Sequence, residues 1–188
     1  GARGSGLHLH STLVVSTEGL PIGVLNAQFT APAAKSAKHA RSARELPIEQ
    51  KKTFAWIAGL RDCVKLHKEL PETRQVCVMD READFFELFD EQRKTGKVEL
   101  LVRAKHDRTM LDDAHLFDAV RQSPVQSSLQ IVVPRQSARP KKSKQKARTA
   151  SAQRTADVEL RFVQIVLRPP SDQKQKEPVT LWVVHVRE

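Results

Sequence analysis

The apolar period of this chain changes near residue 123, and that change limits the folds open to it more than any other feature. Before it, strand-like and helix-like segments alternate. Residues 8–15 and 22–27 are rich in β-formers on either side of a Thr17-Glu18-Gly19-Leu20-Pro21 turn, which predicts a hairpin. Residues 31–45 are small, basic and without period, and read as a loop. Phe54, Ile57, Ala58, Val64 and Leu66 recur at helical spacings, with Pro47 suited to a helix start and Pro71 to its stop. Residues 76–79 are short and β-branched enough for a central strand. Asp84 then opens a second helix as its N-cap, with Glu87 in the capping-box position and Gly96 at its end. A strand over 98–103 and a short helix over 113–122 follow. The order ββαβαβα predicts a three-layer α/β plan over 1–123. After Pro124 the strand-like runs 129–133, 158–167 and 180–186 have no helix between them and are joined by polar, proline-containing loops. They predict an antiparallel β subdomain over 124–188.

Charge follows the same division. The 188 residues carry a formal net charge of +10, yet no acidic residue occurs between Asp118 and Asp157. That interval holds Arg121, Arg135, Arg139, Lys141, Lys142, Lys144, Lys146, Arg148 and Arg154. A one-sided field of this kind attracts polyanions, and nucleic acid is the commonest one a soluble domain meets. No amphipathic basic helix accompanies the charge, so a membrane surface fits less well. Residues 135–148 are too polar to pack and read as a mobile loop that binds phosphates without sequence choice. The chain has no tyrosine and the loop no aromatic residue, which argues against base stacking there. No run approaches the length of a membrane span, and the first residues lack the pattern of a secretory signal. Cys63 and Cys77 have no CxxC spacing and read as buried free thiols of a reducing cytoplasm.

Chemistry first becomes visible in VCVMDREAD, residues 76–84. An apolar strand that ends on Asp80 places a carboxylate where open α/β sheets bind ligands. Such a carboxylate coordinates Mg²⁺ with hard oxygen donors, usually beside other carboxylates and substrate phosphates. The blander alternative is turn chemistry at a strand-to-helix junction, a role for which Asp84 is better placed. Arg103, Lys105 and His106 follow the strand over 98–103. If that strand neighbours the one ending at Asp80, cations stand beside the carboxylate, as phosphodiester chemistry requires. His8 and His10 share a strand face, but no third ligand stands at metal spacing, so they read as structural. The glycine-rich start, GARGSG, lacks the GK[ST] ending of a phosphate loop, and neither GxSxG nor HExxH occurs.

Taken together, GLHLHSTLVVSTEGLPIGVL, PIEQKKTFAWIAGLRD, DREAD after its strand, LLVRAKHDR and RTADVELRFVQIVLRPP…EPVTLWVVHVRE closely resemble the DDE transposases of bacterial insertion sequences. The branch resembled is the cut-and-paste one, with a β-strand insertion domain inside a ribonuclease-H-like core. The resemblance implies a partial core over 1–123 and the insertion over 124–188. It implies metal-dependent DNA cleavage and strand transfer, Mg²⁺ or Mn²⁺ as cofactor, and a homodimer on paired transposon ends near the bacterial nucleoid. Asp80 matches the second aspartate of the metal triad. Arg103, Lys105 and His106 match positions that lie against transposon-end DNA. The other two triad members belong before GLHLHS and in a YxxRxxxE helix beyond the insertion, and neither is in this sequence. Glu188 ends an insertion strand and does not replace the glutamate. The chain by itself is therefore expected to be catalytically inert and to bind duplex DNA in a salt-sensitive way. Two rivals are a ribonuclease-H-like nuclease and a non-catalytic DNA-binding or assembly module.

Overall fold

A computed structural model of the chain describes residues 6–31, 46–141 and 146–188. The expected loop over 31–45, apart from Ala31, lies outside the described residues, as do residues 1–5. The fold is mixed α/β and divides into two compact units, one ending at His106 and the other starting at Asp107.

In the first unit, β1 (His8–Val15) and β2 (Pro21–Thr30) form an antiparallel hairpin whose register runs from His8↔Thr30 to Val15↔Pro21. Gly19 takes a positive φ of 84° in the turn, and the Ser16 hydroxyl accepts from the amides of Glu18 and Leu20. Helix α1 (Phe54–Glu69) starts later than Pro47 suggests, because a 3₁₀ turn over Ile48–Gln50 comes first. A Cβ added at Gly59 lies 3.1 Å from the Thr12 hydroxyl oxygen, so this glycine sets how closely α1 approaches β1.

Strand β3 (Val76–Met79) and β4 (Glu99–Val102) are parallel, which requires a crossover, and α2 (Phe86–Thr95) supplies it. Gly96 ends α2 in the left-handed conformation at φ 58°, returning its amide to the Gln92 carbonyl. The core joins Ile57, Leu60 and Cys63 of α1 to Cys77 of β3, Ala83, Leu88 of α2 and Val98. Strand alternation sends Val76 and Val78 to the other face, where Val78 is 73% exposed. Among the described residues, no helix covers that face or the one carrying Leu9, Leu13, Val24 and Phe29. The third layer predicted from element order is not seen among the described residues.

The second unit holds α3 (Leu116–Gln122), β5 (Val125–Val133), β6 (Arg154–Leu167) and β7 (Val179–Arg187). The sheet is antiparallel, in the order β5-β6-β7, as the helix-free pattern after Pro124 predicts. Its strands are longer than their apolar runs, since backbone pairing continues through Arg154–Asp157 and Val125–Ser128. Leu116 and Val120 of α3 are buried, as are Ile165, Leu167, Val179 and Val183 of the sheet. The packing of α3 on β6 and β7 puts residues 107–123 in this unit, upstream of the composition change at Pro124.

Candidate active-site edge and nucleic-acid interface

The parallel register determines what meets at the carboxyl edge of β3–β4. Met79 faces Val102, so Asp80 and Arg103 are the next residues on the two strands, and the Arg103 amide donates to the Met79 carbonyl at 3.1 Å. Asp80, Arg103, Lys105 and His106 are all exposed. The two strands are neighbours, as a cationic strip beside Asp80 requires.

The aspartate of DREAD that caps a turn is Asp80, not the expected Asp84. Asp80 is the N-cap of a 3₁₀ turn over Arg81–Ala83, with its Oδ1 accepting from the Glu82 amide at 2.8 Å. Asp84 does not cap α2: Phe85 holds that position with no side-chain cap bond. Asp84 is 6% exposed, and its Oδ2 accepts from the amides of Lys105 at 2.7 Å and His106 at 2.9 Å. A buried charged acceptor with two short amide donors is a strong tie. It fastens the segment after β4 to the turn after β3, so Lys105 and His106 are held by their backbone while their side chains stay in solvent. The signal for this role in the sequence is faint: one more acid than the DREAD turn needs, followed by a second strand end.

A divalent metal needs several hard oxygens. Asp80 offers one carboxylate that is already part-used as a cap, and among the described residues no group of three or more potential ligands surrounds any point. The described donors therefore do not make a metal site by themselves. Glu188 is engaged by both terminal guanidinium nitrogens of Arg154, with Nη2 at 2.7 Å from Oε2, and that pairing holds its carboxyl below the usual range. His10 packs edge-on against Trp56 at 4.4 Å between ring centres, a structural role. Cys63 and Cys77 are buried and unbridged. The neighbouring Cys63 thiol, then burial, pushes the Cys77 thiol above its ordinary value, which leaves less of it as thiolate.

The remaining candidates lie in the second unit. Arg135, Arg139, Lys141, Lys146 and Arg148 are exposed, whereas Lys142 and Lys144 lie outside the described residues. The described part of 135–148, predicted as a mobile loop between two strands, carries backbone pairs. Gln136 and Ser151 exchange two amide–carbonyl bonds, each of 3.0 Å. Arg139 and Arg148 exchange another two, of 2.8 and 2.9 Å. A polar, proline-flanked segment carries no apolar period to announce this pairing, which uses backbone groups alone.

Compared with known proteins, the chain matches no family model and no curated protein.

Proposed function

We propose that this chain is the central part of a DNA transposase of the DDE class, whose core is ribonuclease-H-like and whose β unit is the insertion. The observation that carries the reading is that Asp80 and Arg103 follow paired residues at one strand edge, with Lys105 and His106 tied in place by Asp84. In this reading Asp80 would be one of several carboxylates holding a divalent metal, Mg²⁺ or Mn²⁺, which would supply Lewis acidity. The amides of Lys105 and His106 are already donated to Asp84. Phosphate recognition therefore falls to the side chains of Arg103, Lys105 and His106, which position the backbone of duplex DNA without reading its bases.

The test uses the chain within its extended reading frame. Asp80→Ala abolishes strand cleavage and leaves binding to transposon ends in place, and full cleavage by that variant overturns the assignment. A second reading, a non-catalytic DNA-binding or assembly module, draws support from the cap bond that already occupies Asp80 Oδ1. It predicts that Asp80→Asn, which keeps the cap acceptor, leaves every activity of the extended protein unchanged.

A further inference from the structure

The basic segment of the second unit has a shape that its composition does not suggest. Its two backbone pairs keep the register of the sheet below. Val133 faces Arg154, then Gln136 faces Ser151, then Arg139 faces Arg148, each step up one strand matched by an equal step down the other. The segment is thus a two-stranded extension of β5 and β6, interrupted between pairs and flanked by Pro134 and Pro140. From Val133 to Lys141 an extended strand reaches about 26 Å.

Its charges are also unlike those of the sheet that bears it. In the body of the unit, Arg121 pairs with Asp118, Arg154 with Glu188, Arg161 with Glu159 and Arg168 with Asp113. On the extension, Arg135, Arg139, Lys141, Lys146 and Arg148 are exposed, and none is ion-paired among the described residues. The Arg148 guanidinium donates to the Ser137 carbonyl at 3.0 and 3.3 Å, which steadies it across the ribbon without neutralising it. A merely solvated surface mixes both signs. Here the described residues of the extension carry cations and no carboxylate.

We propose that residues 135–141 and 146–151 form a basic β-arm that lies in the major groove of duplex DNA. Two strands about 4.8 Å apart, widened by their side chains, match a major groove about 12 Å across and overfill a minor groove about 6 Å across. Arginine and lysine side chains reach the phosphates on both walls, so the interaction is electrostatic and tolerant of sequence. This deepens the DNA reading of the chain while resting on a separate element. It is tested by equilibrium binding without divalent metal, so a failure of the Asp80 assignment leaves it standing.

Fluorescence anisotropy of the full chain on a short labelled duplex supplies the test, with three comparisons. The double variant Arg139→Gln/Arg148→Gln lowers the slope of log affinity against log salt by about 0.9 for each phosphate that is no longer neutralised. Gln136→Pro removes the amide bonded to Ser151 and keeps every charge, and it weakens binding about fivefold or more if the ribbon must be preformed. Duplex whose major groove is filled by glucosylated hydroxymethylcytosine binds about tenfold more weakly, whereas duplex saturated with the minor-groove ligand netropsin binds as before. An unchanged salt slope overturns the proposal, as does full affinity in Gln136→Pro or competition by netropsin alone. Binding to phosphatidylserine vesicles as tight as to duplex overturns it in favour of a membrane surface.

Discussion

The carboxyl edge of β3–β4 and the β-arm both hold cations in solvent, and they hold them by opposite means. At the edge, Lys105 and His106 are fixed from below, because their amides end on the buried carboxylate of Asp84 over a packed core. On the arm, Arg139 and Arg148 are fixed by each other's backbone and by the Arg148 bonds to the Ser137 carbonyl, and every described residue around them is exposed except the half-buried Gln136. The first arrangement fixes where a phosphate meets a side chain, as chemistry at one bond demands. The second gives reach and tolerance, as wrapping a polyanion demands. Stability should therefore respond at the edge and binding at the arm.

The largest effect that sharpens this contrast comes from beneath the edge. Leu60 is fully buried on α1, and Leu60→Ala is expected to cost about 2–5 kcal/mol in urea unfolding. Each unit has one tryptophan, and Trp56 fluorescence reports the first unit directly. Next, Asp84→Ala strands two amides and is expected to cost about 2–3 kcal/mol, whereas Asp84→Asn keeps an acceptor and costs less. Equal destabilisation in the two variants would show that the tie is not what holds the segment. On the arm, Arg139→Gln/Arg148→Gln should shift stability by no more than about 0.5 kcal/mol while weakening DNA binding. A large drop in stability there would mean that the arm is part of a core, which breaks the comparison.

The smallest expected effect is a pH dependence, and it belongs to the paired arginines rather than the unpaired ones. The Arg168 guanidinium holds the Asp113 carboxyl below its usual range, and Arg74 does the same for Glu99 in the first unit. A depressed carboxylate stabilises the fold above the unfolded value, about 3.9 for Asp and 4.3 for Glu, and that contribution is lost as pH falls through the lower folded value. Both pairs are open to solvent, so each step is small. Thermal unfolding followed from about pH 5 downward should show a shallower fall for Arg168→Gln than for the parent chain. Arg139→Gln, which removes no ion pair, should leave the curve's shape unchanged.

Much of this is legible in the residues. The β-branched run 76–79, the stop at Gly96 and the helix-free stretch after Pro124 are local signals, and the elements form where those signals stand. The adjacency of Asp80 and Arg103 is legible only as a condition, because pairing between two strands twenty residues apart is not written in either one. Asp84 is misleading in the sequence for the same reason. A capping box is a local pattern, but the amides that Asp84 satisfies lie on another strand end, and a buried carboxylate goes where the donors are. The arm escapes notice because backbone pairing asks nothing of side-chain hydrophobicity.

By itself, then, the sequence determined the alternation of elements, the uneven charge and the short strand that ends on Asp80. These depend on local propensity and on the number of charged side chains, which no packing alters. Tertiary structure decided which strand ends meet, which aspartate caps and which one ties, and which cations are neutralised. Those outcomes depend on partners distant in the chain, and only the folded backbone brings them within hydrogen-bonding reach.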